Sequence, residues 1–275
     1  MKEIRHYLSV LFYNYKVGIQ SEMQYITYTF SWLLMIPLNV LSGYYVLKVI
    51  LDQTGTINGW ALGQIAFLYG LSLFSYGFQD MFFIQMRNMD SRIIRGAFDR
   101  ALLRPLGVFF QMCTLQINIC GFYSLVPAAI VFIYGCRLVH FQWTFGNALA
   151  ILMVIVGGTL ISLAVYLISG TIAFWTKKSS FLTDLNLTII EKMSSYPMTI
   201  YPKLIKNIFT ILIPLGFITF YPVCGLLNMD TGITYKFPLP IDLPVVSLLV
   251  GITFLLVARG FFLFALKYKY ESAGS

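Results

Sequence analysis

The residues that most often carry catalysis or bind metals are scarce in this 275-residue chain. Its four cysteines show no C-x-x-C spacing, and its only histidines are His6 and His140. A zinc or iron–sulfur site needs several such ligands brought together. The sequence therefore predicts no metal site, and disulfides are possible but not indicated.

Motifs for nucleotide chemistry and for hydrolysis are also missing. No G-x-x-x-x-G-K-[ST] loop occurs, and no glycine is followed by lysine, so the chain lacks the loop that cradles nucleotide phosphates. H-E-x-x-H, G-x-S-x-G and G-x-G-x-x-G are absent too. An intramembrane protease or acyltransferase would need a histidine or paired acids at membrane depth. We predict that the chain is not an enzyme, with no catalytic residue and no cofactor of its own.

The composition places any functional residues on helices within a membrane. Hydrophobic residues make up 58% of the chain and charged residues 11%, against roughly 25% charged residues in an ordinary soluble domain. Aromatic residues reach 17%, which excludes a disordered chain. The net charge of +8 comes from residues between apolar stretches rather than from a basic surface, so we expect no nucleic acid partner.

Six apolar stretches are long enough to cross a hydrocarbon core, which takes about 20 helical residues. They predict membrane spans at 26–49, 60–82, 106–134, 148–175, 208–227 and 244–266. The connections are short, so residues 1–275 form a single transmembrane domain. The predicted fold class is an all-α integral membrane protein with six transmembrane helices.

Basic residues are distributed unequally between the two sides of this arrangement. The side of both termini and of connections 83–105 and 176–207 carries most of them, whereas the other side holds Lys48, Arg137 and Lys236. By the positive-inside rule, both termini of this multi-pass protein are cytoplasmic.

The first 24 residues predict an amphipathic helix on the membrane surface. Apolar residues recur three and four positions apart, at Ile4, Leu8, Leu11, Tyr15 and Ile19. Such a helix lies in the interface with its apolar face towards lipid. The alternative is a plain cytoplasmic extension of the first span.

The connection between spans two and three, residues 89–106, predicts a short cytoplasmic helix that ends before Pro105. One side carries an apolar stripe of Ile94, Ala97, Phe98, Ala101 and Leu102. The other side carries charged residues, which suits contact with a cytoplasmic partner. The alternative is that the helix lies against the protein's own membrane helices.

The connection 176–207 contains two Tyr-Pro pairs, Tyr196–Pro197 and Tyr201–Pro202. The prolines make a continuous helix unfavourable there. Interfacial anchoring by the tyrosines is favoured over contact with a substrate.

Beyond this connection, Pro214 and Gly216 interrupt span five, and the turn formers of 228–244 favour a re-entrant element on the outer side.

Polar residues inside the spans carry more than one interpretation. Asp80 is expected to reach the interface rather than to relay protons. Arg259 is compatible with snorkelling or with an internal ion pair. Small residues at Gly158 and Ser162 favour close packing of span four. Four amides are candidates either for a translocation path or for hydrogen bonds between helices, namely Asn39, Gln111, Gln116 and Asn118.

Four blocks of the sequence, in order, resemble the ABC-2 type permease family. The blocks are 94–106 (IRGAFDRALLRPL), 195–202 (SYPMTIYP), 213–222 (IPLGFITFYP) and 270–274 (YESAG). The closest branch is the six-span one, long of unknown function and associated with drug and viologen export. Residues that match the family's motifs are Tyr196, Pro197, Tyr201, Pro202, Pro214, Tyr221 and Pro222.

This resemblance implies a permease subunit of an ATP-binding-cassette exporter in a prokaryotic cytoplasmic membrane. Two copies of a separate ATPase subunit would bind ATP and Mg²⁺, and a second permease, identical or paralogous, would complete the path. The helix between spans two and three would be the element that couples to the ATPase. The coupling residues would be Asp90, Arg92, Arg95, Gly96, Asp99, Arg100, Arg104 and Pro105. The alternative function is a secondary transporter driven by an ion gradient, for which Asp80 is the candidate acid.

Overall fold

The computed structural model is a bundle of helices. It describes residues 2–94, 96–103, 106–114, 117–176, 180–229 and 242–269. The α-helices are α1 (Lys2–Met23), α2 (Ile26–Thr54), α3 (Leu62–Phe83), α4 (Met89–Ile94), α5 (Ala97–Leu102), α6 (Val108–Thr114), α7 (Ile119–Leu138), α8 (Phe145–Thr171), α9 (Ala173–Thr176), α10 (Ser180–Met193), α11 (Lys203–Asn207), α12 (Phe220–Leu226) and α13 (Leu243–Tyr268).

Four stretches of the described residues are long and apolar enough to cross a membrane, in α2, α7, α8 with α9, and α13. A bent pair, Lys203–Leu212 with Leu215–Leu226, meets the same criterion together. The 22-residue α3 is as long as a span, but Gln64, Gln79 and Asp80 make it more polar. The protein is therefore a multi-pass membrane protein, and six spans stay a prediction.

The central helix α3 packs very closely against α7. The two helices are antiparallel, since Gly63 faces Leu138 at one end and Gly121 faces Met81 at the other. A Cβ atom at Gly121 would lie 2.5 Å from the backbone N of Met81. This contact was not predicted, because these glycines do not form a simple small-xxx-small pair.

Helix α8 packs closely on two neighbours through Gly157 and Gly158. A Cβ atom at Gly158 would lie 2.5 Å from Ser75 Oγ on α3, and one at Gly157 would lie 2.9 Å from the N of Leu248 on α13. Ser162, one turn further along, is fully buried. The prediction of close packing on this span is confirmed.

Replacing Gly121 by alanine is expected to destabilise the folded protein by about 1–3 kcal/mol, because the added methyl group meets backbone that must move. Gly260→Ala is the matched control, since no atom of the described residues outside its own helical turn lies within 4 Å of a Cβ atom there. Thermal unfolding of both variants in detergent measures the difference. Equal midpoints for the two variants would contradict the close α3–α7 contact.

The bundle has two ends, which we call near and far. The near end holds the described residues of 84–118, together with the α1–α2 junction and the C-terminal end of α8. The far end holds the α2–α3 connection, 55–61, and the α7–α8 connection, 139–144. Phe141 of the latter contacts Phe67 on α3, with ring centroids 5.1 Å apart.

The predicted third span, 106–134, is not one helix. Helix α6 ends at Thr114, and α7 begins at Ile119 after a break. Asn118 lies in this break, where its N–H donates to the carbonyl oxygen of Met81 at 2.9 Å and its side chain accepts from the N–H of Cys120. The polar cap starts a new helix, so the crossing runs over Ile119–Leu138 instead.

The Tyr-Pro segment lies at the far end, so the prediction that it shares a side with residues 89–106 is wrong. Asn58, in the far-end connection 55–61, donates its Nδ2 hydrogen to the carbonyl oxygen of Thr199 at 3.0 Å. Ser195 lies 3.4 Å from Ser72, halfway along α3. The chain therefore runs along α10 through the middle of the bundle and reaches the far end by residue 199. Polar residues within α10 concealed this crossing.

The predicted fifth span, 208–227, is accordingly a re-entrant element at the far end. It bends by 77° between Leu212 and Leu215. At its deepest part the carbonyl oxygen of Phe217 accepts from Ser247 Oγ of α13 at 2.6 Å. Gly225 then reaches the beginning of α13 at Leu243. This arrangement supports a re-entrant element in place of a fifth span, whereas most of the turn-rich stretch 228–244 lies outside the described residues, and the predicted outer element stays a prediction.

The predicted N-terminal helix is present as α1. Its Tyr7 ring contacts Phe110 with centroids 4.7 Å apart, and Tyr15 contacts Phe82 at 6.0 Å. Leu8 and Ile19 of the predicted stripe are exposed. One face of α1 thus packs on α3 and α6, and a membrane-surface position stays a prediction.

Candidate coupling segment and cavity

The predicted coupling segment, residues 89–106, contains two short helices rather than one. Gly96 separates α4 from α5 with a φ of +64°. This left-handed conformation ends α4 and suits glycine, which has no Cβ atom. The chain therefore changes direction in the middle of the predicted helix.

The apolar side of this segment packs against the protein's own helices. Phe98 is fully buried, and its ring lies 5.4 Å from Phe174 and 6.2 Å from Phe262. The alternative interpretation, that the segment lies against the protein's own membrane helices, is therefore confirmed for its apolar side. Leu102, assigned to the buried stripe, is 48% exposed, and the next residue, Leu103, is 87% exposed. The segment is anchored by Phe98 and presents two leucines outwards.

The predicted coupling residues occupy different environments. Asp90 accepts a hydrogen bond from the N–H of Ser91 at 2.7 Å. Arg92 is half-buried and lines a cavity inside the bundle. Asp99 and Arg100 belong to α5, and the structure describes only their backbone. Three predicted residues lie outside the described residues, namely Arg95, Arg104 and Pro105.

A buried polar network lies beside the segment. The Asp80 carboxylate accepts from Asn118 Nδ2 at 2.8 Å and pairs with Arg87 Nη1 at 3.3 Å. Asp80 is 8% exposed, so the prediction that it reaches the interface is wrong. An acid at this depth is compatible with burial because both partners face it. The network joins α3 to the break before α7 and to the connection that follows α3.

Glu22 extends this network to the α1–α2 junction. Its Oε2 accepts from the N–H of Ile119 at 3.1 Å. This N–H lies in the first turn of α7, where backbone donors have no acceptor within the helix. Burial raises the pKa of the Glu22 carboxyl above its ordinary value of 4.5, the hydrogen bond from Ile119 opposes this, and the Asp80 carboxylate adds to the increase. The junction is therefore held to α7 by a carboxylate that is costly to ionise.

The pH dependence of stability should change when Glu22 is replaced by glutamine. Because the pKa of Glu22 is higher in the folded state than in the unfolded state, the protonated carboxyl stabilises the fold. This contribution to the free energy of unfolding is complete below pH 4.5 and is lost as pH rises through the raised pKa. We expect the unfolding midpoint of the wild type, relative to Glu22→Gln, to be lower at pH 7 than at pH 4.5. A constant difference across this range would contradict the assignment.

The four candidate amides of a translocation path have separate roles. Gln111 donates through Nε2 to the carbonyl oxygens of Ala101 and Leu106, at 2.9 and 2.7 Å, and so fixes the turn between α5 and α6. Gln116 lies outside the described residues. Asn39 and Asn118 line the cavity. The path interpretation is therefore retained for Asn39, whereas the hydrogen bonds of Gln111 to Ala101 and Leu106 are structural and the bond from Asn118 to Asp80 connects two helices beside the cavity.

The cavity itself is large and amphiphilic, with a volume of about 1650 Å³. Aromatic side chains of α2, among them Tyr28 and Trp32, line one side, and Leu187 and Glu191 of α10 line another. Tyr76 of α3 also belongs to the lining. The volume exceeds the roughly 300–1000 Å³ of a typical small-molecule site.

Glu191 is a candidate functional residue that the sequence analysis missed. It precedes Ser195 by one turn, and Ser195 lies at the level of Ser72 in the middle of α3. The carboxylate is 3.7 Å from the ammonium of Lys192, and its side chain is 31% exposed. The adjacent Glu-Lys pair concealed the residue, because two charges together are typical of a solvated connection.

The family-like residues of the far end stabilise the re-entrant element. Tyr221 is buried, and its hydroxyl lies 2.6 Å from that of Thr210 across the bend. Pro214 lies in the bend itself, and Pro222 is buried in α12. Pro197 and Met198, between the Tyr-Pro tyrosines, are buried. These residues shape one end of the bundle.

Arg259 contacts an aromatic ring. Its guanidinium lies 5.6 Å from the ring centroid of Phe109, at the start of α6. A cation–π contact of this kind is worth about 0.5–1 kcal/mol at an exposed site. It links α13 to the near end.

Comparison with known families identifies the bundle. A model described as ABC-2 family transporter protein matches residues 38–274. The chain belongs to this family. No curated protein and no solved structure matches the chain. The match confirms the family resemblance and covers all of the chain from the middle of α2 onwards, including the coupling segment, the cavity walls of α3 and α10, and the re-entrant element.

Proposed function

We propose that this ABC-2 family protein is the transmembrane permease subunit of an ATP-driven exporter. Two copies of a separate ATPase subunit, which bind ATP and Mg²⁺, attach at the near end, and a second permease, identical or paralogous, completes the path. The observation that carries this proposal is the anchored coupling segment, which presents Leu102 and Leu103 at the near end.

The charge distribution supports a cytoplasmic near end, and the family resemblance is the basis for proposing a prokaryotic cytoplasmic membrane. Lys203 and Lys206 lie at the far end with the Tyr-Pro segment, and among the described residues they join Lys48 and Arg137 there. The near end keeps the larger share of basic residues, including those of α1 and of the coupling segment. The positive-inside rule therefore still favours cytoplasmic termini.

The contacts of the coupling segment provide a route for force. When ATP brings the two ATPase subunits together, a displacement of α5 passes through Phe98 to Phe174 and Phe262, and so to α9 and α13. The Arg87–Asp80–Asn118 network carries the same displacement to α3 and α7. Such rigid-body shifts move a bundle between inward and outward access.

An ion-gradient transporter is the rival function. The acid proposed for it, Asp80, is held by Arg87 and Asn118, and this arrangement favours a structural role over repeated protonation.

Reconstitution distinguishes the two functions. The permease is co-expressed with an ATP-binding-cassette ATPase encoded beside its gene, purified as a complex and placed in proteoliposomes. We expect cargo movement to require ATP and to persist when a proton and sodium ionophore removes ion gradients. Transport by the permease alone, without nucleotide, would overturn the proposal.

A further inference from the structure

Arg259 places a positive charge on the outer surface of the membrane-crossing helix α13. Its side chain is exposed, and Tyr268, the last residue of α13, follows nine residues later. At 1.5 Å per helical residue, Arg259 lies about 13 Å inside the near end of α13. Phe262, in the next turn, contacts Phe98 and Phe174 of the near-end helices α5 and α9. The arginine therefore lies close to the level at which the near end begins.

The guanidinium of Arg259 has no carboxylate partner among the residues that the structure describes. The salt bridges that those residues form lie on other helices, and α13 itself contains no acidic residue. Its contact is the Phe109 ring, whose centroid lies 5.6 Å away. A charged side chain in a membrane helix normally faces the bundle interior, and an exposed one needs water or a lipid headgroup at its end.

Lys267 adds a second positive charge to this surface of α13. It follows Arg259 by eight residues, so it lies about 12 Å closer to the near end and about 80° further around the helix. Its ammonium lies 5.2 Å from the ring centroid of Tyr268. Leu256 and Leu263, one turn before and one turn after Arg259, are 58% and 42% exposed. The surface therefore combines two cations with apolar side chains on the same side of the helix.

We propose that this surface of α13 binds an anionic phospholipid, whose phosphate pairs with Arg259 and Lys267 and whose acyl chains pack on Leu256 and Leu263. A guanidinium binds a phosphate through two parallel hydrogen bonds, and basic residues at a membrane surface attract anionic lipids. Two positive charges without an acid on the same helix favour a headgroup with a net negative charge over a zwitterionic one. Binding requires only this chain, so it does not depend on the proposed transport function.

Two phospholipids with the same acyl chains and different headgroup charges test the proposal, phosphatidylglycerol and phosphatidylcholine. The affinity of each for the full-length protein is measured by native mass spectrometry, with no ATPase or nucleotide present. We expect Arg259→Gln to weaken phosphatidylglycerol binding about tenfold, which corresponds to about 1.4 kcal/mol. Phosphatidylcholine binding should stay unchanged. Arg259→Lys should restore most of the phosphatidylglycerol affinity, because lysine keeps the charge.

Arg137→Gln is the matched control, because Arg137 is an exposed arginine in the last turn of α7 at the far end, and it should leave both affinities unchanged. Four results would overturn the proposal: equal phosphatidylglycerol affinities of the wild type and Arg259→Gln, equal losses for the two lipids, an equal loss in Arg137→Gln, or an equal loss in Arg259→Lys. Dissociation of a permease dimer in Arg259→Gln, with the phosphatidylglycerol affinity intact, would also overturn it and would assign this surface to the second permease.

Discussion

Asp80→Ala is expected to lower the free energy of unfolding by about 3 kcal/mol, because it leaves the Arg87 guanidinium without its carboxylate in a largely buried position. Asn118 loses the acceptor of its 2.8 Å hydrogen bond in the same variant. The network joins α3 to the start of α7, so the loss should reduce the amount of folded protein in the membrane. Thermal unfolding in detergent measures the change.

Two controls separate the ion pair from a general effect of substitution. The double variant Asp80→Asn with Arg87→Gln removes both charges while keeping amide groups in place, and it should recover more than half of the lost stability. Asp52→Asn, at an exposed position, should change stability by less than about 0.5 kcal/mol. Wild-type stability in Asp80→Ala would mean that the pair does not hold these elements together.

The sequence predicted best where apolar residues run without interruption. The observed α2, α8 and α13 cover most of the predicted spans 26–49, 148–175 and 244–266. In such a stretch, burial in lipid and the need to pair every backbone polar group both favour a helix. Local composition is then sufficient to place the element.

Prediction failed where tertiary contacts compensate for local polarity. Glu191 and Lys192 made α10 resemble a cytoplasmic connection, and its place in the bundle becomes evident only from contacts such as Ser195 with Ser72. Conversely, the apolar residues 208–227 resembled a span, although the bend near Pro214 returns them to the far end. Neither result follows from hydropathy, because both depend on which elements lie beside the segment.

The candidate site was predicted in part for similar reasons. Helical structure within residues 89–106 was predicted correctly, since charged and apolar residues alternate there at helical spacing, and the coupling role of the segment stays a prediction. The left-handed Gly96 changed which face is buried, so Leu102 is exposed while Phe98 is not. The partners of Asp80 could not be predicted, because Asn118 lies 38 positions away along the chain and meets it only when α3 and α7 pack.

The exposed Leu103 leads to the second large expected effect. Leu103→Glu should weaken binding of the ATPase subunit by about 30-fold or more, the effect of losing an interface anchor worth about 2 kcal/mol. The fold should be unaffected, because the side chain is 87% exposed. Co-purification with a tagged ATPase, and ATP hydrolysis by the resulting complex, measure the loss.

Phe145→Glu provides the matched control at the opposite end of the bundle. Phe145 begins α8 at the far end and is also 87% exposed, so the substitution introduces the same charge at an equally accessible apolar side chain. We expect this variant to retain the ATPase and its hydrolysis. If Phe145→Glu released the ATPase and Leu103→Glu did not, the motor subunit would bind at the far end, because only the end that contacts it can be sensitive to a surface charge.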